Sequence, residues 1–159
     1  MHVSAKAEYG MRALLELAAA YQEDPARLVK GDTIAQAQGI PLKFLEGILR
    51  QLRQSGIVSS MRGAEGGYRL DQAPDQISIA DVVRALDGPL AAVRGQRPED
   101  ITYPGAAEHL REVWIALRAA MRDVLEHTTL ADVQSNHLPA EVARLLEEPG
   151  AWARRRPMA

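Results

Sequence analysis

Residues 33–70 read TIAQAQGIPLKFLEGILRQLRQSGIVSSMRGAEGGYRL, and the order of local signals in this stretch decides the fold. Asp32, just ahead of it, is placed to cap a short helix carrying Ile34 and Ala35, and Gly39 is placed to stop that helix. Pro41 suits the first turn of a second helix, where its missing N–H is not needed. There Phe44, Leu45, Ile48, Leu49 and Leu52 recur at helical spacing as the buried stripe, and Ser55-Gly56 ends the run. A β-prone run (Ile57, Val58, Met61) then breaks at Gly63, Gly66 and Gly67 and resumes at Tyr68, Arg69 and Leu70. Short helix, glycine turn, second helix and hairpin, in that order, make a helix-turn-helix followed by a β-wing.

The glycine cluster alone fits a phosphate-cradling loop, an ordinary hairpin turn or a projecting tip that touches a partner. The pattern argues against a P-loop, because no Gly-Lys-Ser/Thr follows and a strand rather than a helix comes next. After a helix-turn-helix, with Arg62 and Arg69 on either side, the hairpin is read as a DNA-contacting tip. Gly63, Gly66 and Gly67 would let it lie flat against a backbone or minor groove, with Tyr68 in the same set. The first turn of the second helix, Pro41, Leu42 and Lys43, would point into a major groove. Lys43 is the prime base-reading candidate, and Glu46 could accept from a cytosine amine. Arg50 and Arg53 serve either phosphate contact or solubility. Thr33, and Ser4 with Lys6, are candidate backbone contacts.

Outward from this centre, Ser4 can cap a first helix with Met11, Leu14, Leu15, Ala18 and Tyr21 at helical spacing, closed by Glu23-Asp24-Pro25. Ser78 with Asp81 three residues on resembles a capping box for a helix through Leu86. Residues 88–104 show no sustained period and are long for a connector. Leu110, Val113, Trp114, Leu117, Met121, Val124 and Leu125 then fit one helix over residues 106–127. In so small a chain few other helices could cover this stripe, which favours a homodimer seam over an intrachain core. The expected fold is mainly α with a small β-wing. Its parts are a winged helix-turn-helix domain (1–87), a sensor-type loop (88–104), a dimerisation helix region (105–135) and a C-terminal tail (136–159). Arg154, Arg155 and Arg156 in that tail could help hold DNA, or simply solubilise it.

Composition narrows the rest. The chain has 159 residues, is 47% hydrophobic but only 4% aromatic, and carries a net charge of −2, so nothing global announces nucleic acid. The basic excess is local: Lys43, Arg50, Arg53, Arg62 and Arg69 face only Glu46 and Glu65 in residues 43–69. There is no cysteine, which removes disulfides, thiolate nucleophiles and cysteine-based metal sites. The four histidines lack metal-ligand spacing; His109 with Glu108 and Glu112 reads as a solvated face. Residues 1–21 lack the order of a signal peptide and no apolar run would span a bilayer, so a cytoplasmic location is expected. No Ser/His/Asp set, paired-carboxylate site or cofactor loop suggests an enzyme. A winged-helix protein-interaction module is the alternative to a DNA-binding regulator.

Residues SAKAEYGMRALLELA, the 33–70 stretch, ISIADVVRALDGPL and EVWIALRAAMRDVLEHTTLADV together resemble the Rrf2 family of bacterial winged-helix regulators over residues 2–135. The resemblance implies a homodimer joined through the long helix, with two winged helices reading a near-palindromic site; a repressor is the expected form of regulator. Cluster-binding members carry three cysteines in the loop before the long helix. Here that loop is GPLAAVRGQRPEDITYPG, without sulfur, and Arg111 stands where one member places a histidine ligand. Glu8 matches an acidic ligand of the nitric-oxide-sensing member, but a lone carboxylate cannot hold a cluster. No cofactor is therefore expected. Control would fall to a small-molecule effector, a partner protein or a metal held by nitrogen and oxygen ligands. Leu90, Val93, Ile101, Tyr103 and Trp114, with Glu8 and Arg111 as polar members, would line a partly apolar effector pocket.

Overall fold

The computed structural model describes residues 3–153; His2 and the arginines at 154–156 lie outside the described residues. Helix α1 (Ala5–Glu23) begins where Ser4 accepts from the Ala7 N–H, as its N-cap position requires. Helix α2 (Gly31–Gln38) starts two residues earlier than an Asp32 cap would have it. Lys30 holds the N-cap without a side-chain bond, and Asp32 sits in the first turn instead. A carboxylate there still faces the positive end of the helix. Gly39 closes α2 in the left-handed region, at φ 62°. Helix α3 (Leu42–Gln54) follows, with Pro41 as its N-cap.

Strands β1 (Val58–Met61) and β2 (Gly67–Leu70) pair antiparallel, Val58 opposite Leu70 and Met61 opposite Gly67, leaving residues 62–66 as the wing tip. A third stretch joins them: Val29 and Tyr68 exchange both backbone hydrogen bonds at 2.8 Å. Nothing in the local pattern around Val29 announces this bridge, because its partner lies in the wing.

Helix α4 (Ile79–Asp87) carries the anticipated Ser78–Asp81 capping box. The long loop contains one 3-10 turn, Pro98–Asp100, and a second, Gly105–Ala107, occupies the start of the stretch expected to belong to the long helix. Helix α5 (Leu110–Leu125) is followed by α6 (Leu130–Ser135) and α7 (Ala140–Glu147), the last lying inside the stretch read as a tail. Among the described residues no helix is long and apolar enough to cross a membrane.

The core gathers Leu14, Leu17, Ile34, Leu45, Ile48, Leu49, Leu52, Val82 and Leu130, each almost wholly shielded from solvent. Full burial of such side chains contributes roughly 1.5–3 kcal/mol each. Leu130 belongs to α6, so the chain leaves the winged helix along α5 and returns to complete its core. The sequence division placed that residue with the dimerisation region. Helix α5 behaves differently: none of its residues is fully buried.

Candidate nucleic-acid interface

The α3 stripe is Leu45, Ile48, Leu49 and Leu52, which turn inward at i, i+3, i+4 and i+7. Phe44 does not join them. It sits one step off the stripe, remains 43% exposed, and meets the Tyr9 ring edge-on with centroids 5.7 Å apart. The expectation of a core Phe44 is corrected on that ground. Leu42, Lys43, Glu46, Arg50 and Arg53 are all exposed on the outer side of α3. Among the described residues Lys43 and Glu46 make no ion pair or side-chain hydrogen bond, so both ends remain available to a partner.

The three wing glycines have reasons internal to the chain. Gly63 adopts φ 108°, which disfavours other residues. A Cβ on Gly66 would lie 2.3 Å from the Met61 carbonyl oxygen, and one on Gly67 would lie 2.7 Å from that of Val29. The wing needs these glycines to turn and to dock on Val29, before any contact with DNA is considered. Arg62 projects exposed from the tip. Arg69 donates to Ser59 Oγ at 3.3 Å, and Arg53 donates to Ser60 Oγ at 3.1 Å, which fastens the end of α3 to β1.

Between the start of α2 and the wing lies an open cleft of about 410 Å³. Lys30, Arg53 and Arg62 line it with no acidic residue, beside Gly31 and Tyr68. Three cations around the uncapped start of a helix form a concave surface suited to a phosphate. Lys30 escaped the sequence reading, because a lone lysine in a connector carries no periodic signal. Thr33 is exposed in the first turn of the same helix.

Ser4 and Lys6 have other engagements. Ser4 donates to Asp87 at 2.7 Å while capping α1, and Lys6 is paired with the same carboxylate at 3.9 Å. Both tie the start of α1 to the end of α4.

The proposed seam residues occupy one face of α5. Leu110 and Val113 are 38% and 56% exposed, while Trp114, Leu117, Met121, Val124 and Leu125 are half-buried. A partly apolar cavity of about 480 Å³ opens between α5 and the loop, lined by Leu90, Val93, Trp114, Leu117 and Met121. Glu8, Ile101, Tyr103 and Arg111 do not line it. Glu8 pairs instead with Arg12 at 3.4 Å, and Ile101 is buried. The loop brings no group of metal ligands together: among the described residues no cluster of three His, Asp or Glu could hold an ion. His109 pairs with Glu112 at 3.1 Å on an exposed surface. The described residues therefore assemble no ligand set for an iron centre or an iron–sulfur cluster.

The chain as a whole is similar to known transcriptional regulators. The model of the Rrf2 family, described as an iron-dependent transcriptional regulator, matches residues 3–136. A helix-turn-helix transcriptional regulator of Mycobacterium tuberculosis is 51% identical over 148 residues, covering 93% of this chain and 90% of that one. The regulator CymR of Bacillus subtilis is 38% identical over 135 residues, covering 85% and 91%. Its solved structure, described as that of the global cysteine regulator, superposes with a TM-score of 0.71 at 35% identity over 86% of this chain and 98% of that one. IscR of T. potens superposes at 0.67 with 32% identity, covering 86% and 88%.

Proposed function

Because the chain belongs to the Rrf2 family of transcriptional regulators, we propose that it works in the cytoplasm as a homodimeric, sequence-specific repressor on a near-palindromic operator. The observation that carries this reading is the exposed, unpaired Lys43 and Glu46 on the first two turns of α3. Those turns enter the major groove in the usual docking of this motif. Lys43 would donate to guanine acceptors and Glu46 would accept from a cytosine amine. Lys30, Arg53 and Arg62 would grip phosphates beside the groove, which adds affinity and register but no sequence information.

The homodimer is supported by α5, which buries nothing fully on its own and presents Leu110 and Val113 to solvent. A second copy laid along this face would set two α3 helices apart by a fixed distance and read two half-sites. With no thiolate available and no histidine–carboxylate cluster in the loop, the regulator would work without an iron–sulfur cluster.

Fluorescence anisotropy with the chain's own upstream DNA, against a scrambled duplex of equal length and composition, tests the reading. The expected result is an affinity gap on the order of a thousandfold at physiological salt. Equal, weak binding to both duplexes would instead favour a protein-interaction module. A promoter fused to a reporter, with and without the regulator, separates repression from activation.

A further inference from the structure

On the opposite side of the loop from the apolar cavity lies a second one of about 410 Å³ with a different chemistry. Arg84 of α4, Arg97 of the loop, and Arg118 and Arg122 of α5 all line it, with Pro98 and Glu99. Arg118 and Arg122 are one turn apart on the same helix face, an arrangement of like charges that disfavours the helix unless something neutralises it. Glu99 reaches Arg118 at 2.5 Å. Glu126 contacts Arg84 and lies 3.6 Å from Arg122. Asp81 is 3.9 Å from Arg84, but its other oxygen serves the α4 capping box. Arg97 makes no ion pair among the described residues.

Four guanidiniums thus face three carboxylates, and two of those three do not line the cavity. Arg118 is the most enclosed of the paired arginines, with 14% of its side chain exposed. Among the described residues only one of its N–H groups finds an acceptor, out of five donors per guanidinium. Glu99 is held below the usual carboxylate range by its own backbone N–H, then by Arg118 and, through charge alone, by Arg97, and it occupies Arg118 as an internal carboxylate. The volume falls within the range of small-molecule sites.

We propose that this cavity binds a small, multiply charged anion, a polycarboxylate or a phosphate ester, whose adjacent acidic oxygens bridge the arginines of α4, the loop and α5. Planar guanidinium forks match both chemistries in two-point contacts. The bound anion would cross-link α4, part of the DNA-reading half, to α5, the proposed seam. Occupancy then favours one angle between them and one spacing of the two α3 helices. This regulatory consequence rests on the reading of the chain as a homodimeric DNA-binding regulator; the binding site itself does not.

Isothermal titration of the DNA-free full chain with citrate and with pyrophosphate, at constant ionic strength set by chloride, tests the site. Saturable binding of one anion per chain by either probe is expected, and the stronger of the two assigns the ligand chemistry. Arg97→Ala, which removes an exposed side chain without an ion pair, should weaken binding about tenfold, the loss of one charge-assisted contact. Arg118→Gln should weaken it further. Glu99→Gln should tighten it, because the internal competitor for Arg118 is gone, whereas a merely structural ion pair would give no gain in affinity. Arg62→Ala, at the wing, should leave it unchanged. No saturable binding by either probe, or equal binding by wild type and Arg97→Ala, would overturn the site. Operator anisotropy with the tighter probe is a separate arm. An anion that binds without shifting operator affinity would overturn the regulatory consequence. A chain that binds the anion but no operator would refute the regulator reading and leave the site standing.

Discussion

Ser78 and Thr129 face each other across a single antiparallel bridge, and each caps the helix that follows it with the same reciprocal box, to Asp81 and to Asp132. The Thr128 carbonyl accepts from Ile79 N–H at 2.8 Å, and the Ile77 carbonyl accepts from Leu130 N–H at 3.0 Å. This pairing returns the chain from α5 to the winged helix and seats Leu130 in its core. Thr129→Ala removes the α6 cap, at a cost of about 1 kcal/mol. For a chain of this size the melting temperature should fall by roughly 2–4 °C. Thermal unfolding followed by circular dichroism reads it, and an unchanged midpoint would mean that the junction does not support the reading half.

Gly67→Ala tests the wing by a route independent of charge. Its added Cβ would meet the Val29 carbonyl at 2.7 Å, a backbone atom with little room to retreat. The Val29–Tyr68 bridge should break and the wing should shift, while the helices keep their circular dichroism. Operator affinity should fall even though no charged or polar side chain is removed. Full operator affinity in this variant would mean that the wing position does not matter for binding.

Two single substitutions separate positioning from reading. Arg62→Ala should weaken operator and random DNA alike and reduce the salt slope by about one unit, if the side chain meets a phosphate. Lys43→Ala should lose discrimination by about 1–3 kcal/mol at one base pair. Operator preference that survives Lys43→Ala would place the reading residues elsewhere on α3.

Val113→Arg probes the seam without disturbing the single chain. The side chain is already 56% exposed, so an arginine there is harmless unless a second copy covers it. Sedimentation should show dissociation to monomers with an intact fold, because an uncompensated charge would be buried in the interface. A variant that remains dimeric would move the seam away from this face of α5.

Protein isolated anaerobically should be colourless and should bind its operator in that form. The basis is chemical: no thiolate exists in the chain, and the loop gathers no substitute ligands among the described residues. Stoichiometric iron with visible absorbance in operator-competent protein would contradict it.

The helices α1, α3, α4 and α5, the Gly39 turn and the wing hairpin were legible in the sequence because their signals are local. Apolar spacing, a capping Ser and a glycine at positive φ act within a few residues of where they are written. The exposed Lys43 and Glu46 follow from the same periodicity, since positions off the stripe face outward. Phe44, one step from the stripe, was misplaced because periodicity gives a direction but not the depth to which neighbours cover it. Tertiary structure alone decided the Val29–Tyr68 bridge, the burial of Leu130 and the cation cleft completed by Lys30. It likewise gathered Arg84, Arg97, Arg118 and Arg122 around one cavity. Each joins residues far apart in the chain, and their meeting depends on how packed helices and loops close on one another, which no local pattern encodes.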